Sequence, residues 1–86
     1  MATWKRNKRQ EGGQVYRWFE KGETIASVVE GYFPNEANMR VSGRGFESFE
    51  IRGHKSAMLN KPDSEFTRIA DKHIRERKQY KKRRKK

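Results

Sequence analysis

The chain contains no cysteine, which excludes disulfides, thiolate zinc sites and iron–sulfur clusters. Long apolar runs are missing too. The longest uninterrupted aliphatic stretch is Ala57-Met58-Leu59, far short of the ~20 residues that a membrane helix needs. No apolar stretch follows the basic start, as a secretory signal would require. Histidine is scarce: His54 and His73 stand apart, without carboxylates at ligand spacing, so no metal site is expected. Helix-face packing accounts for His73 and loop solvation for His54. Serines, histidines and carboxylates occur singly, with no nucleophile motif, no glycine-rich phosphate loop and no paired acids. These absences predict an intracellular, non-enzymatic protein with no cofactor and no membrane partner.

What the chain has is positive charge, at +11 over 86 residues. Its distribution is uneven. Residues 5–9 hold four cations (Lys5, Arg6, Lys8, Arg9), and residues 75–86 hold nine. Between Gln10 and Ile74 nine cations face ten carboxylates, so a nearly neutral body carries two basic ends. A run of like charges can simply be a solvated tail. Nine cations in twelve residues repel one another strongly, however, and a polyanionic partner relieves that repulsion.

With hydrophobic residues at 31%, only one small core is available. Residues 1–13 have no apolar period and end in a glycine pair; they read as a basic arm with Trp4 as its anchor. Residues 14–74 form the globular domain. Gln14–Phe19 alternates Tyr16 and Trp18 against Val15, Arg17 and Phe19, a strand pattern, and Lys21-Gly22-Glu23 is a turn. In Thr24–Phe33, Ile25, Val28, Val29 and Tyr32 fall at helical spacing, but β-branching and Gly31 favour a strand. After the Pro34-Asn35 break, Asn38–Ser42 and Phe46–Ile51 read as strands joined through Gly43-Arg44-Gly45. From Pro62 the period changes. Asp63 suits a helix N-cap, and Phe66, Ile69, Ala70, His73 and Ile74 form one apolar stripe, with Arg68, Lys72, Arg75 and Lys78 on the other faces. Residues 75–86 are a basic tail that either extends the helix or is disordered.

Arg44-Gly45-Phe46 begins like the aromatic strand of the RNA-recognition motif. Glu47 and Ser48 depart from that pattern, and Phe46 and Phe49, three apart, face opposite sides of a regular strand. The stretch therefore reads as a hairpin with one Phe packed and the other exposed.

A second resemblance covers Thr24 to Asn60. Pro34-Asn35, Met39-Arg40-Val41, Gly43 and Ile51-Arg52-Gly53-His54-Lys55 follow the order of motifs in the OB barrel of bacterial translation initiation factor one and its archaeal and eukaryotic relatives. The resemblance implies a nucleic-acid face bearing Arg40, Arg44, Arg52 and Lys55. A helix stands where that family has its last two strands.

Of ten aromatic residues, eight lie between Tyr16 and Phe66, and most must be core because aliphatics are few. Tyr16, Trp18, Tyr32 and Phe33 can also expose one or two rings as stacking platforms. The resulting expectation is an α+β domain. A small antiparallel β-sheet or partial OB-like barrel carries one C-terminal amphipathic helix and basic terminal arms. Its expected function is nucleic-acid binding, with RNA favoured over DNA, in a ribosomal or other ribonucleoprotein setting that includes other proteins. Lys5, Arg6, Lys8, Arg9, Lys78, Lys81, Lys82, Arg83, Arg84, Lys85 and Lys86 join the four residues above as phosphate or base contacts, and Trp18 and Phe46 are the stacking candidates. The rival expectations are a small viral or phage-type regulator that binds a host protein, and a double-stranded DNA binder.

Overall fold

The computed structural model describes residues 3–84, with side chains through Lys78. Five strands, β1 (Lys5–Arg6), β2 (Val15–Lys21), β3 (Thr24–Glu30), β4 (Glu36–Ser42) and β5 (Phe49–His54), form one antiparallel sheet in chain order. β1 and β5 are its two edges, so the sheet is open. A short helix, α1 (Lys55–Asn60), and a long one, α2 (Asp63–Arg84), follow. The α+β class, with its antiparallel sheet and C-terminal helix, agrees with the residue pattern, and the arrangement is compatible with an OB-like fold. Among the described residues no helix is long and apolar enough to cross a membrane.

The ambiguous segment from Thr24 is a strand, at the centre of the sheet between β2 and β4. Its β-branched residues pack on both faces there, which overrides the helical spacing. β2 departs from strict alternation. Its pairing with β3 shifts register between Val15 and Arg17, and this bulge places Tyr16 and Arg17 together on the core side. Tyr16 and Trp18 therefore do not share a face.

The first basic segment is bound to the sheet rather than extended from it. Lys5 and Arg6 pair with Glu20 and Phe19, and the Asn7 N–H donates to the Trp18 carbonyl at 2.9 Å. The Trp4 indole donates to both carboxylate oxygens of Asp71 on α2 at 3.1 Å. The anchor expected at Trp4 is thus present, and the residues after it form β1 and a single 3₁₀ turn over Lys8–Gln10.

α2 lies across one face of the sheet. Phe66 and Ala70 are fully buried and Ile74 nearly so, against Phe19, Ala26, Val28, Met39, Val41 and Phe49. The Phe19 and Phe66 rings meet at 5.0 Å. Burying one large apolar side chain contributes about 1.5–3 kcal/mol. A domain whose net stability is of order 5–15 kcal/mol therefore depends on each of these few rings. The Phe66 N–H bonds to the Pro62 carbonyl at 2.9 Å, so Pro62 takes the capping position and Asp63 is the first helical residue. The Asp63 carboxylate turns instead to Arg17 and Arg6.

The β4–β5 connection corrects the hairpin expectation. It is a six-residue loop over residues 43–48, not a tight turn, and β5 begins only at Phe49. Released from strand alternation, Phe46 folds back onto Phe49 at 6.0 Å and is only 7% exposed. Both phenylalanines are core. Gly45 sits at φ +89°, and a Cβ on Gly43 would come within 3.0 Å of the Phe46 ring.

Candidate nucleic-acid interface

Alternation along the strands gives the sheet a second face, turned away from α2. Register aligns Trp18, Ser27, Arg40 and Glu50 in one row across it, and Val15, Val29, Asn38 and Arg52 in the next. Along the Trp18 row lies an open depression of about 540 Å³, lined by half-buried Trp18, Ile25 and Val29 with Arg40, Ser42 and Glu50. The Trp18 indole Nε1 donates to Glu20 at 2.8 Å, which fixes the ring. Asn38 is buried beside the depression. Its Nδ2 donates to Glu50 at 3.4 Å, while its Oδ1 has no partner among the described residues.

The guanidinium groups expected at the interface are each matched to a carboxylate. Arg40 meets Glu50 at 3.1 Å, Arg44 meets Glu23 at 3.3 Å, and Arg52 meets Glu36 at 3.5 Å. These cations are well exposed, and exposed pairs contribute only ~0–1 kcal/mol, so a phosphate can displace the carboxylate at little cost. Arg6 differs. Its Nε donates to Glu11 at 2.7 Å and its Nη1 to Asp63 at 3.2 Å, which commits it to the fold. The hydrogen bond from Arg6 holds the Glu11 carboxyl below its ordinary range, against the opposing effect of burial. Burial pushes the Asp63 carboxyl up, but hydrogen bonds and charge from Arg17 and Arg6 together bring it below its usual value. Lys55 is also partly engaged, with its ammonium 5.0 Å from the Tyr16 ring centre.

The unmatched cations lie elsewhere. Lys5, Lys8 and Arg9 are exposed at the start of the chain, and no carboxylate lies within 4 Å of them among the described residues. The same holds for Arg68, Lys72, Arg75 and Lys78 on α2. Arg68, Lys72 and Arg75 follow i, i+4, i+7 spacing, opposite the buried stripe of Phe66, Ala70 and Ile74. They form a cationic ridge directed away from the sheet. Residue spacing marks all three as outward helix positions, but the density of charge at the two chain ends pointed to binding there rather than on the ridge. The α2 backbone continues through Lys81, Lys82, Arg83 and Arg84; Lys85 and Lys86 lie outside the described residues.

The predicted residues therefore divide between two surfaces. Arg40, Arg52 and Trp18 share the open sheet face, whereas Lys78 lies on α2 on the other side of the sheet, one turn beyond Ile74 and close to Gly45 of the β4–β5 loop rather than on the ridge. Phe46 belongs to neither: its burial removes it as a stacking ring.

Compared with protein-family models, curated proteins and solved structures, the chain has no significant match in any of the three.

Proposed function

We propose that this protein is a non-enzymatic nucleic-acid-binding module. The α2 ridge and the basic run from residue 75 contact phosphates, and the open sheet face around Trp18 receives unpaired bases. The observation that carries this reading is the division of charge. Carboxylates of the body match Arg6, Arg17, Lys21, Arg40, Arg44 and Arg52. Among the cations with no carboxylate within 4 Å in the described residues, Arg68, Lys72 and Arg75 follow one side of α2 and lead into the basic run of residues 75–86, while Lys5, Lys8 and Arg9 lie at and just after the first strand. Phosphates are the natural counter-charge for such a line. RNA is favoured over DNA because the strand and turn motifs from Pro34 to Lys55 resemble initiation factor one; a ribosome or another ribonucleoprotein, with its other proteins, is the corresponding setting.

Fluorescence anisotropy with single-stranded RNA, single-stranded DNA and duplex DNA over a salt series tests the reading. Binding should weaken log-linearly with salt, with a slope of roughly −0.7 per single-strand phosphate neutralised, and RNA should bind most tightly. Preference for the duplex would favour the double-stranded DNA alternative. No binding to any of the three at low salt would remove the reading. The protein-binding regulator would then rest on the open outer edge of β5, since the helix stripe is already buried against the sheet.

A further inference from the structure

Two large aromatic side chains are exposed beyond what packing explains. Tyr32 is 87% and Phe33 56% exposed, adjacent in the β3–β4 turn. The turn that presents them is held firmly. The Gly31 N–H bonds to the Glu36 carbonyl and the Glu36 N–H to the Phe33 carbonyl, both at 3.0 Å. The Lys55 N–H bonds to the Asn35 carbonyl at 2.7 Å, tying the turn to the start of α1. The two rings meet edge to face at 5.0 Å. A ligand would find them already positioned, with little ordering entropy left to lose.

Beside Phe33 lies a shallow pocket of about 390 Å³, lined by Phe33, Asn35, Glu36, Arg52, Gly53 and His54. We propose that this pocket is a base-binding site, in which the Phe33 ring stacks on one unpaired nucleobase whose edge is read by Arg52, His54 and Asn35. The inference rests on the nucleic-acid reading above and gives it a second point of contact, where β5 and the β3–β4 turn meet. The donor set selects the occupant. A base offers a π face to Phe33, and its ring nitrogens and carbonyls accept from the Arg52 guanidinium. The Glu36 carboxylate and the Asn35 side chain can accept from exocyclic amino groups. An apolar side chain from a protein partner would instead cover Arg52, Glu36 and His54 without replacing their hydration, at a desolvation cost. Arg52 also links the sites: it faces the open sheet beside Asn38 and borders the pocket, so one strand can pass from Trp18 to Phe33.

The test compares wild-type protein with Phe33→Leu, which keeps an apolar side chain at an exposed position and removes the π face. The probes are a short single-stranded RNA oligonucleotide and the same backbone with abasic sites. Wild type should bind the base-bearing strand about tenfold or more tightly than the abasic one. Phe33→Leu should lose a large part of that difference while keeping the salt slope, and Phe33→Trp should restore it. If wild type shows the salt slope but Phe33→Leu binds both strands as wild type does, this inference fails and the nucleic-acid reading stands. Absence of binding to either strand at low salt removes both. Loss of a protein complex on Phe33→Leu substitution, with oligonucleotide binding unchanged, would assign the rings to a protein partner and overturn the proposal.

Discussion

Arg17 donates Nη2 to the carboxylate of Asp63, joining β2 to the first turn of α2 across 46 residues of sequence. The arginine is only 3% exposed. Its guanidinium lies 5.4 Å from the Phe19 ring centre and 5.0 Å from that of Phe66, and Nη1 donates to the Met58 carbonyl at 2.9 Å. One side chain thus ties both helices to the sheet. Its planar shape fits against two rings while its edge satisfies polar partners, a combination that lysine lacks.

Arg17→Ala should therefore destabilise the protein by roughly 3 kcal/mol, through lost packing and an unsatisfied buried carbonyl. Arg17→Lys should recover only part of the loss. Chemical denaturation measures both, and an Arg17→Ala variant as stable as wild type would show that the buried guanidinium does not join the elements.

Acid should loosen the same junction. Glu11 and Asp63 have folded-state carboxyls below their ordinary values, so the unfolded chain binds protons more readily at these sites. Their stabilisation is fully present well above pH 4.5, the ordinary value for glutamate, and is lost as pH falls through the depressed folded values. Melting temperature should decline below about that pH, with a shallower decline in Glu11→Gln. Equal acid sensitivity in that variant and wild type would exclude Glu11 as a source.

In the β4–β5 loop, the two glycines should fail for different reasons. Gly45→Ala places a side chain at φ +89° and should cost ~1–2 kcal/mol. Gly43→Ala presses on Phe46 and Thr24, so its effect depends on how far those side chains can shift. An unchanged melting temperature for Gly45→Ala would mean that the loop adopts another conformation.

Within the helix stripe, burial ranks the losses. Phe66 is fully buried and Ile69 only partly so. Phe66→Ala should cost ~3–5 kcal/mol, whereas Ile69→Ala should fall at or below the ~2 kcal/mol lower bound for buried isoleucine. Reversal of that order in urea titrations would contradict the orientation of α2.

Removing residues 81–86 deletes six cations and no apolar residue. RNA affinity should drop, and the log–log salt slope should flatten by roughly 0.7 for each phosphate that is no longer neutralised. Melting temperature should stay close to that of wild type, because the last buried position among the described residues is Ile74. Unchanged affinity and slope would shift the phosphate-binding role to Arg68, Lys72 and Arg75, whose combined replacement by glutamine is the complementary measurement.

Local pattern was sufficient where a short stretch carries its own period and punctuation. The α2 stripe from Phe66 to Ile74, the strand that ends before Gly22, and the concentration of charge at the two ends can all be read from residue order, because a local pattern is enough to identify each of them. Tertiary contacts decided the rest. Thr24–Glu30 is a strand because partners pair with it on both sides, although its spacing also suits a helix. Lys5 and Arg6 join the sheet because Trp4 reaches Asp71 and Arg6 reaches Asp63, both distant in sequence. The bulge at Tyr16 and the loop that buries Phe46 change which face a ring occupies, and one residue of register is enough to do so. The candidate interface depends on the same kind of fact. Total charge is written in the composition, but which cations remain unmatched is set by carboxylates that folding brings within a few ångströms of them.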